Sequence, residues 1–317
     1  MAKRRGKVQP AVETLSFYLG DNSTGGSPAS FTGASTIDLS QCASIVNRRF
    51  YRQGLNWAVA GFTVLGGGGT EGFVSFAKMQ NTWITGGAWE KTFRSWKAQQ
   101  DKALEEMGAE DTKGGFNDYK IHLDSQHVSD GFSSNLLPIS FGGSPYIPGE
   151  WDSSQVVIPN DGGVGITNEY LLKMYGTSDA SAKSILGGYV FSRARPQSPE
   201  PSTPNVATSW LNELFDVGDN NDEIIANAVN RNDELPYDQT AYPGSSTNGA
   251  GLQYHDTAFL TGTTVSSKIA IGGTNVPCGL LRIEQNITVP AGEACILLIH
   301  LVPGSHRGYL CEKMEDF

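Results

Sequence analysis

The stretch LNWAVAGFTVLGGGGTEGFVSFAK, residues 55–78, points most directly to the fold class of this chain. In residues 55–65 both sets of alternate positions are fairly apolar, which is typical of a strand buried on both faces. The four glycines at 66–69 predict a turn, because glycine adopts the backbone conformations that turns require. A second strand begins near Phe73, so the stretch predicts two neighbouring strands that pair antiparallel.

Short strands recur along the chain, whereas helices are few. One long helix is predicted at 88–107, where Trp89, Phe93 and Trp96 recur at helical spacing and indicate a core-facing seam rather than a binding box. Strands and helices do not alternate regularly, which argues against a parallel α/β sheet. Further strands are predicted at 117–124, 154–159, 184–192, 254–260, 265–271, 278–285 and 294–302, the last two as a terminal hairpin.

Long loops are expected, because the chain has 38 glycines and 15 prolines in 317 residues. Loops are predicted at 20–36 and 193–253, the second with a short helix at 222–230. The predicted fold is mainly β: a single jelly roll, or eight-stranded antiparallel β-sandwich, with one inserted helix and long inter-strand loops. This domain is expected over 15–317, with insertions near 86–110 and 193–253 that contribute to subunit contacts or to the outer surface.

Charge is distributed unevenly. Net charge is −10, and the first ten residues contribute +4 without any acid, which leaves −14 for the remainder. A flexible basic N-terminal arm is predicted at 1–14, because these residues are polar and lack periodicity. The arm is either a solubilising terminus or an electrostatic contact for phosphate or another anionic surface. Its basic residues are Lys3, Arg4, Arg5 and Lys7.

A second basic cluster, NRRFYR, occupies residues 47–52. Arginines contact phosphates and aromatic rings stack on unpaired bases, so this mixture suits single-stranded nucleic acid. An interface strand whose arginines pair with the abundant acidic residues is equally compatible with the pattern. The candidate binding residues are Arg48, Arg49 and Arg52.

No recognisable active site is present in the sequence. GxSxG, P-loop and HExxH motifs are absent, so neither an enzyme nor a cofactor is predicted. His122 and His127 are five residues apart, which on a strand places them on opposite faces and disfavours a shared metal. A weak candidate for an interface calcium loop, or else a solvated loop, contains Asp216, Asp219 and Asp222, without the spacing of a calcium-binding hand.

Targeting and redox signals are equally sparse. The basic start is not followed by an apolar segment, so no secretory signal peptide is predicted. No apolar run approaches 18 residues, so no membrane insertion is expected. The four cysteines lack metal-site spacing and are predicted to be reduced thiols, chiefly buried.

Several segments resemble capsid proteins of small circular Rep-encoding single-stranded DNA viruses, the group known largely from environmental sequences. The resemblance covers most of the chain from about residue 37 onward. These segments are NRRFYRQGLNWAVAGF (47–62), AWEKTF (88–93), SRARPQSPEP (192–201), AYPGSS (241–246) and LVPGSHRGYLCEKM (301–314).

The resemblance implies a virion protein, made in the host cell, whose copies build a small icosahedral shell with the arm facing the packaged genome. In the simplest icosahedral arrangement, T=1, about sixty copies would form a homo-oligomer around single-stranded nucleic acid, most readily DNA. This chain departs from the better-known members because its arm carries four basic residues rather than a long arginine-rich run. Such arms would supply only about 240 positive charges, so Arg48, Arg49 and Arg52 also face inward, or cations complete the neutralisation.

Two other functions compete with a capsid subunit. A jelly-roll carbohydrate-binding module or glycoside hydrolase is compatible with six tryptophans and polar loops, but it lacks a secretion signal. A non-viral nucleic-acid-binding protein is disfavoured by the acidic body.

Overall fold

Two antiparallel sheets dominate the computed structural model, which describes residues 10–109, 118–159, 167–194, 251–263 and 267–314. In chain order the strands are β1 (Thr14–Asp21), β2 (Ala29–Asp38), β3 (Leu55–Leu65), β4 (Glu71–Lys78), β5 (Gln155–Pro159), β6 (Thr167–Lys173), β7 (Ala182–Ser184), β8 (Gln253–Leu260), β9 (Lys268–Val276), β10 (Leu280–Val289), β11 (Ala294–Leu301), β12 (Pro303–Gly304), β13 (Gly308–Tyr309) and β14 (Cys311–Lys313). The helices are α1 (Leu39–Asn47), α2 (Trp83–Glu106), α3 (Ser125–Asp130) and α4 (Ile185–Ala194).

Sheet A and sheet B, as we name them, each contain four principal strands. Sheet A has the order β1-β11-β3-β9, and the short β14 continues along the β11 side of β3. Sheet B has the order β2-β10-β4-β8. Every pairing in the two sheets is antiparallel. The chain is therefore mainly β, as predicted.

The two sheets pack face to face on one apolar core. Along β11, alternate side chains are buried, which is the period-two pattern of a strand with one face on a core. Phe62 of β3 stacks on Phe76 of β4 with ring centroids 4.9 Å apart, so the two rings join sheet A to sheet B. One continuous cluster of buried residues includes side chains from all eight principal strands. This arrangement is a β-sandwich.

The predicted pairing of β3 with β4 is wrong, because the two strands lie in different sheets. The glycine-rich turn at 66–69 carries the chain from sheet A to sheet B. The predicted terminal hairpin is wrong for the same reason, since β10 belongs to sheet B and β11 to sheet A. Apolar alternation identifies a strand that faces a core, but both sheets share this core, so alternation cannot assign the sheet.

Three further segments differ from the sequence predictions. The predicted loop at 20–36 contains most of β2, a polar edge strand on which Ser30 and Thr32 hydrogen-bond to side chains of β10. The predicted strand at 117–124 contributes only an isolated bridge at His122. The predicted strand at 184–192 is α4, where the Ser184 hydroxyl accepts a hydrogen bond from the Gly187 N–H and thereby caps the helix.

The inserted helix α2 begins five residues earlier than predicted, after the N-cap Thr82. Its aromatic seam faces a core, as expected: Trp89 stacks on Phe93 at 5.1 Å and packs edge-on against Tyr119. This core is a second one, which α2 shares with β6, α4 and the start of β10, outside the sandwich. Residues 195–250, with the predicted helix at 222–230, lie outside the described residues, so the role of that insertion stays a prediction.

No helix among the described residues is long and apolar enough to cross a membrane. The four cysteines are free thiols, and Cys42, Cys278 and Cys295 are buried while Cys311 is partly exposed. Burial raises the pKa of each of these thiols. Because the thiolate is the reactive form, these raised pKa values disfavour reaction of the cysteines at neutral pH.

Candidate nucleic-acid interface

The loop that carries the predicted arginines begins at the end of α1. Arg48 adopts the left-handed conformation (φ 54°, ψ 40°), and its N–H donates to the Ser44 carbonyl. Helices commonly end in this conformation, which turns the chain sharply. The turn leaves Arg48 and Arg52 exposed and Arg49 partly exposed. The local fold therefore presents three guanidinium groups on one short loop.

Tyr51, in the middle of this loop, is completely buried. Its ring packs 5.8 Å from Trp57 and 5.5 Å from Tyr309, and its hydroxyl donates to the Arg307 carbonyl at 2.9 Å. Burial also raises the pKa of its hydroxyl. The expectation that both aromatics of NRRFYR stack on unpaired bases is wrong for Tyr51, because its ring is enclosed by the protein. Tyr51 instead anchors the loop to the core.

A turn near the C-terminus brings a fourth arginine to the same place. Arg307 lies between the short strands β12 and β13 in the left-handed conformation (φ 51°), and its side chain is exposed. Its guanidinium donates to the Phe50 carbonyl, so the turn and the loop hold one another. We name Arg48, Arg49, Arg52 and Arg307 the arginine cluster. Sequence reasoning missed Arg307, because 255 or more residues separate it from the other three, and only contacts through the fold could identify it.

The basic arm is rooted at the arginine cluster. The Arg49 guanidinium donates to the Pro10 carbonyl at 3.3 Å. Two residues further along, the Val12 N–H donates to the Asn47 side chain, and the Val12 carbonyl accepts from the Tyr309 hydroxyl. Residues 1–9, with Lys3, Arg4, Arg5 and Lys7, lie outside the described residues, but their point of attachment is Pro10. Pro10, which follows these basic residues in the chain, therefore lies beside the arginine cluster.

Within the described residues, no acidic side chain forms an ion pair with the arginine cluster. The salt bridges there lie elsewhere, at Arg94–Glu90, Lys120–Asp118, Lys173–Asp179 and Arg282–Asp124. The cluster also lowers the pKa of His306, after the larger effect of burial, through the charge of Arg307. The pairing of these arginines with acids, left open by the sequence, is not seen among the described residues. Unpaired guanidinium groups on a surface are suited to phosphate.

The two histidines expected on opposite faces are in fact neighbours. The rings of His122 and His127 lie 5.0 Å apart, because Asp124 caps α3 and the chain there is not a strand. Burial lowers the pKa of His122 to about 4 and that of His127 to about 3. The Leu123 N–H donates to Nδ1 of His127, and Nε2 of His127 contacts Asn135, so both nitrogens of that ring are engaged. Both rings pack on Phe132, and their lowered pKa values keep them uncharged at neutral pH.

Metal and acid–base sites gain no support from the part of the chain that the structure describes. No group of three or more His, Cys, Asp or Glu side chains there could hold a metal ion. Burial raises the pKa of Asp38 to about 6, but the carboxylate is enclosed and accepts hydrogen bonds from Ser40, Gln41, Gln53 and Trp151. The candidate calcium residues Asp216, Asp219 and Asp222 lie outside the described residues.

Phe50, partly exposed on the same loop, lies 6.3 Å from the ring of Trp151, so an aromatic pair adjoins the arginine cluster. The cluster itself can neutralise a phosphate backbone. Such contacts are independent of sequence and sensitive to salt. No family model, no curated protein and no solved structure matches this chain.

Proposed function

We propose that this chain is a viral coat protein, a single jelly roll whose copies assemble into a small icosahedral shell around a single-stranded nucleic acid genome. The observation that carries the proposal is the strand order of the two sheets. Sheet A contains β1, β3, β9 and β11, and sheet B contains β2, β4, β8 and β10.

The chain changes sheet at almost every step of this order. Only the passage from β4 to β8 stays within one sheet, and these strands are neighbours in sheet B. The late strands β10 and β11 insert between early ones, so each sheet combines strands distant in sequence. This order supports the double Greek-key connectivity of an eight-stranded jelly roll, an architecture found in viral capsid domains and lectins. A coat protein is one of the functions that this architecture carries.

The basic surface favours the coat protein over the lectin. The arm contributes four positive charges and the arginine cluster contributes four more, on a chain whose net charge is −10. Of the tryptophans, Trp57 and Trp89 are buried in the two cores and cannot stack on a sugar, whereas Trp83 is exposed. The four basic residues of the arm are too few to neutralise a genome alone. With the arginine cluster, the number of cations per copy that can face the genome doubles.

The sequence resemblance supports DNA as the packaged nucleic acid and about sixty copies as the simplest shell. The contacts that we propose are made to phosphates, which DNA and RNA share. Nucleic acid extracted from purified particles and treated separately with DNase and RNase will distinguish the two.

Assembly is the direct test. The full-length chain, expressed and purified, is expected to form uniform hollow particles in negative-stain microscopy and to elute far ahead of a monomer on size exclusion. A monomer that persists across salt and pH conditions would overturn the proposal and would favour the carbohydrate-binding alternative. If particles form, deleting residues 1–8 is expected to leave them intact and to reduce salt-sensitive copurification of nucleic acid. Unchanged nucleic acid content would remove the arm from the interface.

A further inference from the structure

A hydrogen-bonded turn, which we name the knob, projects from one edge of the sandwich and carries two exposed apolar side chains. It comprises residues 139–147, which fold back at a bridge between Ile139 and Pro145. The Ser140 N–H and hydroxyl both donate to the Ser144 carbonyl, and the Tyr146 N–H donates to the Pro138 carbonyl. These bonds hold the tip in one conformation.

The tip of this knob presents Phe141 to solvent with 109% relative exposure. Ile147, on the same knob, is 84% exposed. Isolated exposed apolar residues are common on protein surfaces. A phenylalanine held fully outside by an ordered turn is different, because it gains nothing from the fold and an aromatic anchor buries about 150–250 Å² when a partner covers it.

The knob is fixed to the β1 edge of sheet A. The Ile139 N–H donates to the Ser16 carbonyl at 2.7 Å, on the side of β1 that is not paired with β11. The knob therefore extends the sandwich sideways at the edge where β1 and β2 lie.

A second exposed apolar surface lies at the other edge, on the outer face of sheet B. Phe259 of β8 is 67% exposed and Phe73, directly opposite on β4, is 37% exposed, with ring centroids 6.5 Å apart. Tyr254, further along β8, is also exposed and donates to the Thr257 hydroxyl. We name Phe73, Tyr254 and Phe259 the aromatic stripe. Ser75 and Thr257, at the paired positions between them, are uncharged, but Glu284 of β10 lies directly opposite Ser75 and is exposed at the margin of the stripe.

The knob and the aromatic stripe cannot meet within one sandwich. β1 and β2 are the first strands of their sheets, and β8 and β9 are the last, so the two surfaces lie at opposite edges. A surface at one edge that complements a surface at the opposite edge joins copies head to tail. Contacts of this kind generate closed rings when the rotation between copies is right.

We propose that the knob of one copy docks, through Phe141, on the aromatic stripe of the next copy. This inference rests on the proposed function, because it supplies a contact by which the copies of a shell join. The occupant of the stripe is thus a second copy of this chain, and the contact joins an aromatic anchor to an aromatic face that Glu284 borders. It places the sandwich edges, rather than the arginine cluster, at the subunit boundary.

Paired serine substitutions test the contact. Phe141→Ser and Phe259→Ser are each expected to raise the protein concentration needed for assembly by about tenfold or more, because each removes an anchor of the contact. Ile158→Ser is the control, since Ile158 is exposed on β5, which lies outside both sheets of the sandwich. Circular dichroism will establish that all three variants remain folded. Assembly of Phe141→Ser at the wild-type concentration would overturn the inference.

Cross-linking distinguishes docking between copies from other causes. In a Cys311→Ser background, which removes the one partly exposed thiol, Gly142→Cys chains are mixed with Thr257→Cys chains and treated with a short bis-maleimide, so that Phe141 and Phe259 both stay in place. A covalent dimer is expected in the mixture and not in either variant alone. Particles without this dimer would overturn the knob contact while leaving the proposed function intact. A wild-type chain that forms no particles would overturn both.

Discussion

Removing exposed arginines from the cluster should weaken the salt dependence of nucleic acid binding by a predictable amount. The most informative variant is Arg48→Asn with Arg52→Gln. Both side chains are exposed and neither forms an ion pair among the described residues, so the fold should tolerate their loss. Asparagine suits position 48, because it tolerates the left-handed conformation that Arg48 adopts.

The magnitude follows from the number of phosphates that the two arginines contact. Each contact to single-stranded nucleic acid contributes about 0.7 to the slope of log affinity against log salt, so two contribute about 1.4. Between 50 and 200 mM salt, the wild-type protein should therefore lose about sevenfold more affinity than the variant. Fluorescence anisotropy of a labelled oligonucleotide, measured at several salt concentrations, gives both slopes.

A control variant separates this local effect from the loss of two charges anywhere on the surface. Lys102→Gln with Lys268→Gln removes the same charge from exposed positions on α2 and β9. Its slope should equal that of the wild type. Equal slopes for the wild type and the arginine variant would refute the assignment of the cluster, as would an equal decrease in both variants.

Two further predictions concern stability. Phe62→Ala should lower the free energy of unfolding by about 3–5 kcal/mol, because Phe62 is buried between the sheets, whereas Phe73→Ala on the outer face should cost far less; urea denaturation will compare them. Burial lowers the pKa of His122 and His127, so below about pH 6.5 these histidines bind protons more readily in the unfolded chain than in the folded one. Their stabilisation of the folded state is therefore complete above about pH 6.5 and is lost as the pH falls toward 4. The loss is up to about 1.4 kcal/mol of unfolding free energy per pH unit for each histidine. His122→Phe should therefore make the urea midpoint depend less on pH than it does in the wild type. Asp38, whose raised pKa favours the folded state as the pH falls, acts in the opposite direction, but it does so equally in the wild type and the variant. Parallel curves of urea midpoint against pH for the two proteins would contradict this reasoning.

The strands of the sandwich were predictable wherever apolar side chains alternate or run together. β3, β4, β8, β10 and β11 all lie close to their predicted positions. β2 could not be predicted, because its Ser and Thr side chains give no apolar signal and it is stabilised by cross-strand hydrogen bonds. α4 was mistaken for a strand, because its apolar residues resemble a buried strand and the cap at Ser184 is visible only in three dimensions.

Of the candidate site, only the three arginines at 48, 49 and 52 could be predicted from the sequence. Three arginines adjacent in sequence are visible as a cluster, but their exposure depends on the left-handed turn at Arg48. The burial of Tyr51 could not be foreseen, since its partners Trp57 and Tyr309 approach from β3 and β13. Arg307 joins through long-range contacts that no local pattern encodes.

The insertion of late strands between early ones has a consequence for biosynthesis. β10 separates β2 from β4, and β11 separates β1 from β3, so neither sheet can close until residues 280–301 have left the ribosome. Such non-local pairing makes folding slow, because long loops must be ordered first. A nascent chain interrupted before this point lacks one inner strand of each sheet, β10 in sheet B and β11 in sheet A. It therefore exposes the apolar faces of the strands that would flank them. A polypeptide truncated before β10 therefore cannot complete the sandwich and is prone to aggregation or proteolysis.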